Sequence, residues 1–124
     1  MTSIPSNFYG VRTRISSDTA LEVAAEELTT LGYAVVESGL RKEELSDLSM
    51  RFDAARQQAE TRLGGRERLR TVDEHNTLRC PLKYDRAFME LALSPVIYDL
   101  AKLLIGPYVA LSQQNGIINP GNQE

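Results

Sequence analysis

Two amide side chains near the carboxyl end of the chain have the type and spacing of ligand-contacting groups. Gln113 and Asn115 lie in residues 106–121, a run with the alternation of a strand, and side chains two apart on a strand share a face. Apolar Val109 and Leu111 precede them on that face, so the strand is predicted to run from a packed core into a polar pocket. An amide donates and accepts hydrogen bonds, which suits a carboxylate or hydroxyl ligand. The alternative is a cross-strand hydrogen-bonded pair without a ligand.

Four residues in the middle of the chain carry charged or reactive groups. Arg79 and Lys83 are candidates for binding an acidic substrate or co-substrate. His75 is the single histidine, so one chain cannot supply a site of two histidines and a carboxylate. It is predicted to lie in a surface loop, with a substrate contact as the alternative. Cys80 has no histidine nearby and is predicted to be an inert core residue. The sequence therefore assigns no catalytic residue and no metal ligand.

The run Tyr108-Val-Ala-Leu-Ser-Gln-Gln-Asn-Gly-Ile-Ile-Asn-Pro-Gly121 resembles the phytanoyl-CoA dioxygenase family of iron(II)- and 2-oxoglutarate-dependent oxygenases. Leu31-Gly-Tyr-Ala-Val-Val36 and Leu103-Leu-Ile-Gly-Pro107 resemble the amino-terminal half of the same family. The resemblance covers residues 20–121 and implies a hydroxylase acting on a small molecule, with iron(II) and 2-oxoglutarate as cofactors.

The resemblance also carries expectations about individual residues. In the family, the strand before the metal motif lines the active site, so Gln113 and Asn115 are expected to contact 2-oxoglutarate or substrate, and Arg79 is a further candidate. The family's iron ligands are a His-x-Asp pair shortly after the Pro-Gly turn and a second histidine much later. Neither follows Gly121 here. The chain is therefore expected to be an incomplete catalytic unit that binds no iron tightly and turns over no 2-oxoglutarate.

The fold implied by the resemblance is α+β: amino-terminal helices and the first strands of a double-stranded β-helix (jelly roll), with the barrel incomplete. Residues 17–124 would form this partial domain, and residues 1–16 an irregular arm. The alternative function belongs to another class, a non-catalytic helical interaction module. Such a module would pair its exposed last strand with a second copy or a complementing chain, because an unpaired strand edge is a template for pairing.

Composition limits the range of partners and compartments. The chain has 124 residues, of which 42% are hydrophobic and 25% charged, ordinary values for a globular domain. A net charge of -3 gives no electrostatic reason to expect nucleic acid or an anionic membrane as partner. One cysteine and no signal-peptide pattern at the amino terminus lead us to expect a cytoplasmic protein.

Hydrophobic periodicity predicts the elements that position these residues. An apolar stripe through Leu21, Leu28 and Leu31 predicts a helix, and Thr19 and Glu22 have capping-box spacing. Ser94 and Pro95 have the types of a cap and a first helical residue. Further elements are predicted as follows: a strand at 33–37, a helix at 42–63 stopped by Gly64-Gly65, a short strand at 77–80, a short helix at 85–93, and a helix after Pro95 with Val96, Ile97, Leu100, Leu103 and Leu104 in the core.

Overall fold

The computed structural model describes residues 19–121. Backbone contacts divide the chain into one compact unit that ends at Val35 and a second that begins at Val36. The predicted irregular arm, residues 1–16, lies outside the described residues.

The first unit contains α1, Ala20–Leu31, and the predicted capping box is confirmed. The Thr19 hydroxyl accepts from the Glu22 N–H at 3.2 Å, and the Glu22 carboxylate accepts from the Thr19 N–H at 3.0 Å. These bonds satisfy two of the amides that a helix start leaves unpaired. Gly32 ends the helix in the left-handed conformation, at φ 83°.

The strand predicted at 33–37 is wrong. Residues 33–41 contain neither helix nor strand, and Val35 is 88% exposed. A β-branched run forms a strand only where a neighbour supplies ladder hydrogen bonds and a surface to pack on. Among residues 19–121 the one sheet contains two other strands, so this segment has high β propensity but no partner.

The second unit is built around its longest helix, α2, Lys42–Arg62, as predicted. Gly64 and Gly65 follow it at φ 92° and 93°, so the predicted helix stop is confirmed. A further helix directly after the glycines was not predicted. The remaining elements are α3 (Arg66–Thr71), β1 (Thr77–Arg79), a 3₁₀ turn (Pro81–Lys83), α4 (Ala87–Ala92), α5 (Pro95–Ile105) and β2 (Asn115–Ile117).

Strands β1 and β2 form an antiparallel two-stranded ribbon in which Leu78 lies opposite Gly116. Backbone bonds extend it at both ends, from the Cys80 N–H to the Gln114 carbonyl at 2.9 Å and from the Ile118 N–H to the Asn76 carbonyl at 2.8 Å. The prediction of a strand along 106–121 that waits for a partner is therefore wrong. Only Asn115–Ile117 is strand, and its partner precedes it in the chain.

The core lies between α2, the ribbon and α4. Ala55 and Ala59 of α2, Leu78 of β1 and Phe88 of α4 are buried together. The small alanines let the ribbon approach the helix closely. Phe52 contacts Phe88 edge to face, with ring centroids 6.4 Å apart, a favoured aromatic geometry.

The predicted core face of α5 is only partly confirmed. Leu100 is buried, whereas Ile97, Leu103 and Leu104 are between 41% and 51% exposed. Ser94 is the N-cap residue, but its side chain makes no capping hydrogen bond. Within residues 36–121, α5 therefore presents an apolar surface that no other element of the second unit covers.

Asp85 links α2 to α4. Its carboxylate accepts from the Ala87 N–H at 2.9 Å and from Arg51 Nη1 at 3.0 and 3.2 Å. The Ala87 hydrogen bond and then the Arg51 guanidinium hold the pKa of Asp85 below its ordinary value. A lowered folded-state pKa gives a contribution to stability that is complete above the unfolded-state pKa, about 4, and is lost as the pH falls through the folded-state pKa.

Replacing Asp85 with asparagine is therefore expected to be more destabilising at pH 6 than at pH 3. Urea unfolding midpoints of wild type and Asp85→Asn, measured at both pH values, test this expectation. Glu37→Gln is the matched control, because Glu37 is exposed and its neutralisation should have little effect at either pH. A stability difference between wild type and Asp85→Asn that does not change with pH would contradict the assignment.

Candidate functional site

The ribbon has one face toward the core and one face away from it. Leu78 is 1% exposed, and a Cβ on Gly116 would lie 2.1 Å from Cε2 of Phe52, so these two residues face α2. Because side chains alternate along a strand, the pairs on either side, Thr77 with Ile117 and Arg79 with Asn115, point away from α2. We call this side the ribbon face, formed by Thr77, Arg79, Asn115 and Ile117.

Two of the three predicted contact residues meet on the ribbon face. Arg79 and Asn115 are directly opposite each other in the ladder, where cross-strand side chains are close enough to interact. Gln113 precedes β2 and is exposed. The predicted strand face shared by Val109, Leu111, Gln113 and Asn115 does not form, because residues 107–113 are not part of the ribbon.

Arg79 already has an acidic partner within the chain. Its Nε donates to a Glu74 carboxylate oxygen at 3.1 Å, and its Nη2 donates to the other oxygen. This forked hydrogen bonding lowers the pKa of Glu74 and raises the pKa of Arg79. An acidic ligand at Arg79 would have to compete with Glu74, so Arg79 is not a free cation.

Gln114, which the sequence did not single out, has a side-chain amide that joins two elements of the second unit. Its Nε2 donates to the Phe88 carbonyl at 2.8 Å, while its Oε1 is buried without a hydrogen-bond partner. Gln114 thereby ties the residue before β2 to α4. Strand alternation did not identify Gln114, because its side chain was expected on the face opposite to Gln113 and Asn115.

Cys80 is exposed, so the predicted core position is wrong. Its backbone is left-handed, at φ 54° and ψ 59°, whereas a residue two positions after Leu78 in a regular strand would share the buried face of Leu78. The strand ends before Cys80, so this alternation does not reach it. The next residue, Pro81, is buried instead.

His75 lies in a loop as predicted, but it is not simply on the surface. Its side chain is 25% exposed, and its Nδ1 lies 4.0 Å from a carboxylate oxygen of Asp73. That nitrogen is buried and has no hydrogen-bond partner.

A groove of about 520 Å3 lies beside the ribbon, and His75, Arg79 and Cys80 line it. Its other walls are the carboxyl-terminal half of α2, helix α3 and the chain around Lys83. We call it the helix groove. Its apolar lining includes Leu63, Leu69 and Val72, and its charged lining includes Arg56, Glu60, Arg68, Glu74 and Lys83.

The donor set does not fit iron. Residues 19–121 contain no group of three or more histidine, cysteine, aspartate or glutamate side chains that could hold a metal ion. The residues expected to contact 2-oxoglutarate, Gln113, Asn115 and Arg79, are therefore not arranged around a metal site within this part of the chain. No described helix is long and apolar enough to cross a membrane.

The chain is similar to two uncharacterized mycobacterial proteins, one from Mycobacterium bovis and one from Mycobacterium tuberculosis. Each is 29% identical to it over 107 residues, which cover 86% of this chain and 39% of the relative. No protein-family model and no solved structure matches the sequence. The chain thus spans about two fifths of the length of the curated relatives it matches.

Proposed function

We propose that this chain is the amino-terminal helical part of an iron(II)- and 2-oxoglutarate-dependent hydroxylase of the phytanoyl-CoA dioxygenase family. The observation that carries the proposal is the run from Tyr108 to Gly121, which contains β2 and, on the ribbon face, Asn115. In this proposal the iron ligands belong to polypeptide outside this chain, and the barrel is the part that the chain lacks.

The apolar surface of the second unit supports a larger domain. Leu103 and Ile105 of α5 are 51% and 72% exposed, and Ile117 of β2 is 75% exposed. A contiguous domain ordinarily buries such residues, because burial of apolar area is the main favourable term in folding. The greater length of the mycobacterial relatives supplies the material that would cover them.

The ribbon face is the part of this chain proposed to reach the active site. Asn115 and Gln113 would hydrogen-bond to 2-oxoglutarate or to substrate through amide groups that donate and accept. Arg79 would join them only if Glu74 releases its guanidinium. Since the described residues do not fit iron, their proposed role is to bind 2-oxoglutarate or substrate and to position the rest of the domain.

The proposal is tested by exchanging the matched segment between proteins. A chimera of the Mycobacterium tuberculosis relative, with its 107 matched residues replaced by those of this chain, is titrated anaerobically with iron(II) and 2-oxoglutarate. We expect the relative and the chimera to give a metal-to-ligand charge-transfer band and, in air, succinate. The isolated chain should give neither, because the metal ligands lie outside it.

Three results would contradict the proposal. One is a relative that folds but shows no band and no succinate, which removes the family assignment. Another is an active relative whose chimera folds but is inactive, which would show that this chain cannot replace the matched segment of the relative. The third is a saturable band with the isolated chain, which means that it assembles its own metal site.

The second candidate function, a non-catalytic module that pairs through its last strand, is favoured by one observation. Strand β2 uses one edge to pair with β1, and no strand of the described residues pairs with its other edge. Light scattering of the purified chain separates the two functions. A stable homodimer that Ile117→Lys disrupts would favour the module.

A further inference from the structure

We propose that the helix groove binds a small organic anion, a carboxylate or phosphate attached to a short apolar body. This inference does not depend on the proposed metal chemistry, because the groove lies wholly among residues 56–84 of the second unit. It assigns a ligand to a surface on which the resemblance gives a role to Arg79 alone.

The charge of the groove selects an anion. Four cationic side chains, Arg56, Arg68, Arg79 and Lys83, line it together with only two carboxylates. Each carboxylate already has a partner, since Arg56 binds Glu60 at 2.9 Å and Arg79 binds Glu74.

The other two cations are available to a ligand. Arg68 and Lys83 form no ion pair within residues 19–121 and are exposed. The stem of Arg68 lies over Gly64, since a Cβ on Gly64 would lie 2.9 Å from Cδ of Arg68. The absence of a side chain at Gly64 lets the stem of Arg68 pack against the backbone there. A guanidinium placed in this way suits the forked geometry of carboxylate and phosphate.

Two buried polar atoms of the groove residues lack partners. Nε of Arg56 and Nδ1 of His75 are both inaccessible to solvent and make no hydrogen bond. Leaving a buried polar group unpaired is destabilising, and the great majority of such groups in folded proteins are paired. Neither atom is accessible in this structure, so a ligand would reach them only after a neighbouring side chain moves, and the exposed Arg68 and Lys83 are the groups that first meet it.

The apolar wall selects a ligand with a hydrocarbon part. Leu63 and Val72 line the groove and are 52% and 62% exposed, while Leu69 of α3 is buried. Ligand sites commonly combine such an apolar wall with a few charged groups that fix orientation. A bare inorganic anion would leave Leu63 and Val72 in water.

The test is an NMR titration of the ¹⁵N-labelled chain at low salt with inorganic phosphate, hexanoate and hexyl phosphate. We expect saturable shifts of amides within residues 56–84 for both hexyl compounds. Both should bind more tightly than inorganic phosphate, because they alone cover the apolar wall. The tighter of the two hexyl probes identifies carboxylate or phosphate as the preferred headgroup.

Single charge removals identify the site. Arg68→Gln and Lys83→Gln are each expected to weaken binding of the preferred hexyl probe by about 3- to 5-fold, the upper part of the range for an exposed ion pair. Arg62→Gln is the matched control, since Arg62 is a cation of α2 outside the groove lining and should change affinity less than about twofold. All three positions are exposed, so the fold should be retained, which the amide spectrum verifies.

The proposal is overturned by shifts that grow linearly without saturating, by saturable shifts that map outside residues 56–84, or by equal loss of affinity in Arg62→Gln and Arg68→Gln. Equal affinity for inorganic phosphate and both hexyl probes would overturn the role of the apolar wall.

Discussion

Leu78→Ala is expected to lower the free energy of unfolding by about 2–5 kcal/mol, the range for truncating a buried leucine. Leu78 is 1% exposed and packs with Ala55, Ala59 and Phe88. The two alanines cannot move into the space that the leucine leaves, because their side chains are single methyl groups on a rigid helix. The cavity should therefore persist, which places the expected loss toward the upper part of the range.

Urea unfolding followed by circular dichroism measures this loss. Natural domains are stable by only about 5–15 kcal/mol, so a loss of this size should shift the urea midpoint strongly. Ile105→Ala is the control, because Ile105 is a large aliphatic residue that is 72% exposed. Its replacement should change stability by no more than about 0.5 kcal/mol. Similar losses for the two variants would show that Leu78 is not at the centre of the core.

Gly116→Ala is expected to destabilise the chain by about 1–3 kcal/mol through overpacking. The new methyl group would lie 2.1 Å from Cε2 and 2.7 Å from Cζ of Phe52, far inside van der Waals contact. The Phe52 ring packs edge to face on Phe88, so moving it away from the new methyl group would break that contact. Either the ribbon must shift from α2 or the Phe52 ring must leave its position.

A double-mutant cycle identifies the cause of this loss. Phe52→Leu removes the ring atoms that would collide, so the Gly116→Ala substitution should cost less in that background than in wild type. Gly121→Ala is the backbone control, since a Cβ there would meet nothing within 4 Å. If Gly116→Ala costs the same with and without the Phe52 ring, steric contact between β2 and α2 is not the cause.

The helices with a clear apolar period were the most predictable part of the fold. Thr19 and Glu22, and the glycines after Arg62, also predicted where α1 begins and where α2 ends, because their local backbone requirements are independent of the rest of the protein. α3 was not predicted, because a six-residue helix with one buried residue, Leu69, has too few turns to show a period.

The strands were less predictable, because a strand depends on its partner. The run at 33–37 has the higher β propensity, yet Asn115-Gly-Ile117 is the segment that pairs. Gly116 explains the preference, since its lack of a side chain allows the ribbon to lie against Phe52. Sequence alternation could not show this contact, which joins residues 64 positions apart.

The candidate contact residues divide in the same way. Asn115 and Arg79 were chosen for their chemistry, and the ladder places them opposite each other. Gln113 was assigned to the same face as Asn115 by strand alternation, but the strand begins only at Asn115. Arg79 binds Glu74, and Gln114 binds the Phe88 carbonyl. These contacts depend on the folded structure, so residue type alone could not identify them.

The left-handed turn at Cys80 makes the chain suitable for site-specific labelling without mutagenesis. The sequence has one cysteine, and its thiol is exposed at the end of β1. A maleimide fluorophore would therefore attach at a single known position, next to the backbone bond from Cys80 to Gln114 that closes the ribbon. Its emission would report separation of the two strands, so ribbon opening could be followed independently of helix unfolding in the same sample.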